Sequence, residues 1–193
     1  MEDKRVGFAL TGSFCTFARA LEALEQVAGR YREVTPILSE RSASTDSRFG
    51  AAAGFRAKIE SICGRPAVDT VAGAEPIGPK KLLDVLVICP CTGNTLAKLA
   101  AGIADSSVTM AAKSHLRNGR PVVLAVSTND GLAGAAKNIG ALLDKKHIYF
   151  VPFGQDDPVG KPTSLVADLS RVPETIEAAL RGEQLQPVLS VRH

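Results

Sequence analysis

Tryptophan is absent from this chain and aromatic residues make up only 5% of it, which removes the stacking platforms that single-stranded nucleic acids need. The 23 Lys and Arg against 20 Asp and Glu leave a net charge of +3 with no basic tract, so a nucleic-acid footprint is missing as well. Cysteine occurs at Cys15, Cys63, Cys89 and Cys91 without a Cys-x-x-Cys pair, which argues for reduced, buried thiols rather than a zinc or redox site. No apolar run has the length of a membrane span, and Met1-Glu2-Asp3-Lys4-Arg5 leads directly into a strand pattern. A soluble, cytoplasmic protein is expected. Histidine is confined to His115, His147 and His193, with no metal-ligand spacing and no Ser-His-Asp order. His115 stands among Lys113, Ser114 and Arg117, and a solvated helix surface is expected for it.

Nucleotide signatures are missing in the same informative way. Gly7 and Gly12 have the spacing of a triphosphate-binding loop, but Ser13 stands where the lysine is required. Gly-x-Gly-x-x-Gly is absent, which disfavours a self-contained NAD site. A nucleotide monophosphate such as FMN fits better.

What is present is a run of β and α patterns. Arg5 to Leu10, Glu33 to Leu38, Ala67 to Val71, Val85 to Ile88, Pro121 to Val126 and Ile148 to Phe153 read as strands. Helices are expected from Phe14 to Val27 with Gly29 as its stop, over Ala51 to Ile62, from the Thr92-Gly93-Asn94 cap onward, and over Val108 to Leu116, Leu132 to Leu143 and Pro173 to Leu180. The strands hardly alternate in polarity, so both faces should be covered. The fold class is therefore α/β: a single doubly wound (Rossmann-like, flavodoxin-like) domain, a parallel sheet flanked by helices, spanning residues 1–193 with a loosely packed tail from about 182.

Ligands of such sheets bind outside the strand carboxyl ends. Four loops belong there: Thr11-Gly12-Ser13, Ser39-Glu40-Arg41, Pro90 to Asn94, and Ser127 to Asp130. Pro90 should close its strand, since it cannot donate to a ladder. Each loop is rich in hydroxyls, amides or glycine, and Gly12-Ser13 at a helix start suits a phosphate. Asp105 and Asp130 are possible acids or bases, although caps and turns explain them equally well. Lys98, Lys113 and Arg117 are candidates for gripping substrate carboxylates, and Lys137 and Lys161 could do the same.

The Thr-Gly-Ser loop and the segment Pro-x-x-x-Asn-Thr-x-Ala-Lys-x-Ala (Pro90 to Ala100, then Gly102, Ala104 and Asp105) resemble the flavoprotein family of homo-oligomeric FMN-containing cysteine decarboxylases. Further likeness runs through Ala74-Glu75-Pro76-Ile77-Gly78-Pro79-Lys80, Met110 to Asn118, Ser127 to Leu132, Tyr149 to Asp157 and Gln186 to Leu189. It points to a branch of spore-forming bacteria that oxidises a dihydropyridine dicarboxylate together with a partner, the A subunit. The resemblance implies FMN as cofactor, with Gly12 and Ser13 on the phosphate. Ser39, Pro90, Thr92, Asn94 and Thr95 would meet the ribityl chain and ring edge, with Ser127 and Asn129 in the fourth loop. It also implies NAD(P) held by the partner chain, a homo-oligomer, and the cytoplasm of a sporulating mother cell. The family's decarboxylases carry a catalytic histidine after the third strand and a Pro-x-Met-Asn segment. Residues 64 to 84 contain no histidine, and Ser127-Thr128-Asn129-Asp130 stands in place of the second. Other readings are an independent flavin-dependent decarboxylase or prenyltransferase, or a non-catalytic protein that stabilises its partner.

Overall fold

The computed structural model describes residues 2–190; Met1 and residues 191–193, His193 among them, lie outside. The strands are β1 (Glu2–Leu10), β2 (Tyr31–Leu38), β3 (Val85–Cys91), β4 (Val122–Thr128), β5 (Ile148–Phe150), β6 (Phe153–Gly154) and β7 (Leu165–Ala167). The helices are α1 (Phe17–Arg30), α2 (Glu40–Ser44), α3 (Ala52–Cys63), α4 (Val71–Ala74), α5 (Gly93–Ala101), α6 (Ser107–Leu116), α7 (Ala136–Leu143) and α8 (Val172–Leu180). They build a seven-stranded mixed sheet flanked by helices.

The first five strands are parallel in the order β2-β1-β3-β4-β5, as the sequence patterning led one to expect. β3 and the end of β1 are apolar on both faces because helices cover both, and every residue of β3 is buried. Beyond β5, the carboxyl end of β4 takes a different neighbour: Ser127 and Thr128 pair antiparallel with β7, which pairs antiparallel with β6. This extension replaces part of the single strand expected over Ile148 to Phe153. Those strands are too short for periodicity to mark.

α1 presents Phe17, Leu21, Leu24 and Val27 to the core at helical spacing and continues through Gly29 to Arg30. α5 starts at Thr92, whose hydroxyl accepts from Thr95 N (3.3 Å), and stops at Gly102 in the left-handed region. In α6, Ser106 and Thr109 form a reciprocal capping box.

Local expectations change in several places. Pro90 does not close β3: the strand runs to Cys91, and its register against β4 shifts between Ile88 and Cys91, where a residue without an N–H is tolerated. Residues 67–71 form no strand. Only Val68 pairs there, bridging Ile37 on β2, and Thr70 then caps α4 through Gly73 N (3.0 Å). The helix expected from Leu132 begins at Ala136, after turns bonded to the Asp130 carbonyl. Residues from about 182, read as a loose tail, include Gln184, which exchanges two 2.7 Å hydrogen bonds with the Phe150 backbone, and Leu189, which bridges Phe153. No helix among the described residues is long and apolar enough to cross a membrane.

Candidate functional site at the β1/β3 crossing

With strand order 2-1-3-4-5, the direction of winding reverses between β1 and β3, and the crevice outside their carboxyl ends is where a doubly wound sheet binds ligands. A cleft of about 570 Å³ lies at that position. Thr11 and Gly12 line it from the end of β1, Ser39, Glu40 and Arg41 from the end of β2, and Thr92, Asn94, Thr95 and Lys98 from the start of α5; Asp105 and Ser106 complete the wall.

One buried hydroxyl ties the β1 and β3 loops together. Thr11 Oγ1 donates to the Pro90 carbonyl (2.8 Å) and accepts from Thr92 N (3.1 Å). Thr92 Oγ1 in turn lies 3.0 Å from Thr95 Oγ1. On the β2 side, Ser39 caps α2 by accepting from Ser42 N (3.2 Å), and Glu40 Oε1 accepts from Ser107 N (2.9 Å) at the start of α6. A carboxylate on that free helix N–H also meets the positive end of the α6 dipole, so α2 and α6 hold each other at the rim.

The expected cofactor-site residues separate into three groups. Gly12, Ser39, Thr92, Asn94 and Thr95 line the cleft. Ser13 and Ser127 meet each other instead (Oγ to Oγ 2.9 Å), with Thr16 Oγ1 2.9 Å and 2.8 Å from them. Pro90 is buried and takes part through its carbonyl, while Asn129 is exposed and its carbonyl accepts from Thr163 Oγ1 (2.7 Å). Gly93 has a steric reason: a Cβ there would lie 2.7 Å from Thr128 Oγ1 and 2.8 Å from Asp130 Oδ1. Thr11 and Arg41 were not singled out from sequence, although both stand in loops that were.

The three carboxylate-binding candidates also divide. Lys98 faces the cleft and donates to both oxygens of Asp105 (2.8 and 3.0 Å), which holds the Asp105 carboxyl below its ordinary range. Lys113 and Arg117 project from α6 into a different cavity, shared with Lys145.

His115 is not on the surface. It is 1% exposed, its Nε2 has no partner, and burial, assisted by the nearby Arg120 charge, lowers its pKa to about 4. It is therefore neutral at pH 7 and belongs to the packing of α6. The thiols of Cys89 and Cys91 are buried and pushed up by desolvation, which leaves them inert.

The chain is similar to known proteins over nearly all its length. The Flavoprotein family model matches residues 1–160. The dipicolinate synthase B subunit of Bacillus subtilis (strain 168) is 48% identical over 189 residues, covering 98% of this chain and 94% of the relative. The crystal structure of the dipicolinate synthase B subunit from Bacillus halodurans C superposes with a TM-score of 0.90 at 49% identity, covering 98% of this chain and 97% of that one. More remotely, Burkholderia xenovorans DmrB, described as an FMN complex and a cubic protein cage for redox transfer, shares the fold with a TM-score of 0.66 at 18% identity over 93% of this chain and 96% of that one. On the strength of a match through most of its sheet and all of the cleft loops, this chain belongs to the Flavoprotein family.

Proposed function

We propose that this chain serves as the B subunit of a dipicolinate synthase, working with the A subunit in the NAD(P)-dependent oxidation of dihydrodipicolinate, and that its cleft holds FMN. The observation that carries the reading is a cleft lined by hydroxyl and amide groups at the β1/β3 crossing, in a chain 48% identical over 98% of its length to a relative of that name. In parallel sheets of this strand order the flavin mononucleotide belongs at that crossing.

The residues fit the group. The cleft's volume of about 570 Å³ lies within the span of small-molecule and cofactor sites, about 300–1,000 Å³. Gly12 keeps bulk out of the wall, and the hydroxyls of Ser39, Thr92 and Thr95 with the Asn94 amide supply neutral donors and acceptors for a ribityl chain and a ring edge. Gly12, which lines the cleft just ahead of the first helical turns, is the phosphate contact, and Ser13 joins it by turning its hydroxyl away from Ser127 and Thr16. When bound, FMN supplies electron transfer in one- or two-electron steps. Arg41, which enters no ion pair among the described residues, is the cleft cation left to hold and orient a substrate carboxylate, while Lys98 is held by Asp105.

The overall reaction removes a hydride and a proton from a dihydropyridine dicarboxylate and leaves an aromatic ring. The hydride reduces NAD(P)+ on the partner chain and the proton passes to solvent. Aromatisation drives the step, so the protein's task is positioning. The same reading makes the chain a cytoplasmic homo-oligomer of the sporulating mother cell. A relative named as one of a synthase's subunits, together with oligomeric relatives, one dodecameric and one a cubic cage, supports it.

The test has two parts. The purified chain should keep a flavin absorption spectrum through desalting after FMN is added. Ser13→Ala with Asn94→Ala should lose that spectrum while the circular dichroism stays unchanged. Mixed with the partner chain, dihydrodipicolinate and NAD(P)+, this chain should support NAD(P)H formation. Equal formation when this chain is left out would refute the assigned role, and flavin retention by the double variant would refute the assigned site.

A further inference from the structure

A second cavity, of about 310 Å³, opens on the helical face formed by α5, α6 and the end of α7. Its floor is apolar: Leu99, Leu116 and the half-exposed Ile103. Its rim carries Lys113, Arg117 and Lys145, and no carboxylate lines it. Lys113 lies in the last turns of α6 and Arg117, four residues on, is the C-cap residue with helical backbone, so the two share a face. Lys145 Nζ is brought in over the last turn of α5, 3.5 Å from the Leu99 carbonyl. None of the ion pairs among the described residues involves any of these three cations.

This cavity is separate from the flavin cleft. Lys98 and Asp105 face the cleft, whereas Leu99, Gly102 and Ile103 face the second cavity, so the turn after α5 forms a wall between them. On the other side of that wall Lys98 is matched by Asp105. Three unmatched cations around an apolar floor repel one another, and a ligand with more than one negative charge relieves that repulsion. An apolar body seated on the floor would displace water and strengthen the ion pairs. The volume is at the small end for ligand sites, large enough for a single ring and too small for a nucleotide cofactor.

We infer that this cavity is a binding site for a small aromatic dicarboxylate, held by Lys113, Arg117 and Lys145 with its ring on Leu99, Ile103 and Leu116. The inference rests on the cavity alone and stands whether or not the chain holds flavin. Its connection with the proposed reaction, whose product is an aromatic dicarboxylate, rests on the proposed function. Through that connection the chain would hold product outside the cleft.

Benzene-1,3-dicarboxylate is a suitable probe because it has the ring and both charges without strong metal chelation. Calorimetric titration of the full-length chain should show saturable binding that weakens with salt. Benzoate, with one charge, and inorganic phosphate, with no ring, should each bind at least about tenfold more weakly. Lys113→Gln with Arg117→Gln should weaken the dicarboxylate about a hundredfold, and Lys145→Gln about tenfold, at roughly one charged hydrogen bond per cation. Methyl NMR signals of Ile103 and Leu99 should shift on titration in the unaltered chain. Absence of binding at millimolar probe, phosphate binding as tight as the dicarboxylate, or affinity unmoved by the double substitution would each overturn the inference. A chain that keeps no flavin, yet loses the dicarboxylate on Lys113→Gln with Arg117→Gln, would refute the flavin assignment and leave this site standing.

Discussion

Replacing Thr11 with valine tests whether the cleft depends on the hydroxyl that joins its two central loops. The substitution keeps the branched shape and swaps one hydroxyl for a methyl, so packing volume hardly changes. Thr11 is 2% exposed, and its Oγ1 serves the buried Pro90 carbonyl (2.8 Å) and Thr92 N–H (3.1 Å) at once. Valine can serve neither. Depriving a buried polar group of its partner costs about 1–3 kcal/mol, and Thr92 N is only partly buried, so the expected loss is about 2 kcal/mol. With a urea dependence of about 2 kcal/mol per molar, that loss lowers the unfolding midpoint by about 1 M without altering the slope. The measurement is equilibrium urea unfolding at one fixed protein concentration, followed by circular dichroism, with Thr11→Ser alongside. Serine restores the hydroxyl and gives up a methyl, worth about 1 kcal/mol. The hydrogen-bond account therefore predicts that the serine variant is the more stable of the two. It also predicts weaker flavin retention by the valine variant even where it is fully folded. A valine variant as stable as, or more stable than, the serine variant would refute the reasoning.

Two other perturbations act away from the cleft. His115 has a folded pKa of about 4 against 6.5 for the free side chain, so its contribution to stability is fully present above pH 6.5 and is lost as pH falls towards 4. That loss amounts to about 3 kcal/mol, and His115→Leu should flatten this part of the pH dependence of the urea midpoint; an unchanged profile would contradict it. Gly78→Ala would put a Cβ 2.5 Å from the Ser114 carbonyl oxygen and 2.9 Å from Ser114 Cβ, against α6 backbone that cannot yield cheaply. A loss of about 1–3 kcal/mol is expected from the overpacking, read as a lowered thermal midpoint.

The sheet was legible where one property repeats. Val85 to Ile88 is apolar without alternation because both faces of the sheet are covered, and that patch of sequence located the central strand and the loop after it. The loops of the cleft followed once the strands were known to be parallel. What escaped depended on contacts between distant residues. Ser127 had the right chemistry at the right strand end, yet its hydroxyl is taken by Ser13 and Thr16, more than a hundred residues away in sequence, and nothing local marks such a pairing. The link from Glu40 to Ser107 N is of the same kind: an acidic residue at the start of a five-residue helix reads as helix chemistry, not as the clasp between two walls.

His115 is different, because its burial was present in the sequence. Val108, Ala111, Ala112 and His115 recur at the spacing of one helix face, and all four are buried. The neighbouring charges that suggested a solvated surface, Lys113 and Arg117, sit two residues to either side, which on a helix is the opposite face. The same periodicity thus assigns histidine to the core and gathers Lys113 and Arg117 on the outer wall, where they meet Lys145 over apolar side chains. Lys98 obeys a similar rule on α5, turning towards the cleft while the adjacent Leu99 turns away. Taken as a set, the three cationic candidates look like one site in the sequence. Helix geometry makes them two, and the electrostatics then differ: Lys98 is already matched by Asp105, whereas the α6 pair has charge left for a ligand.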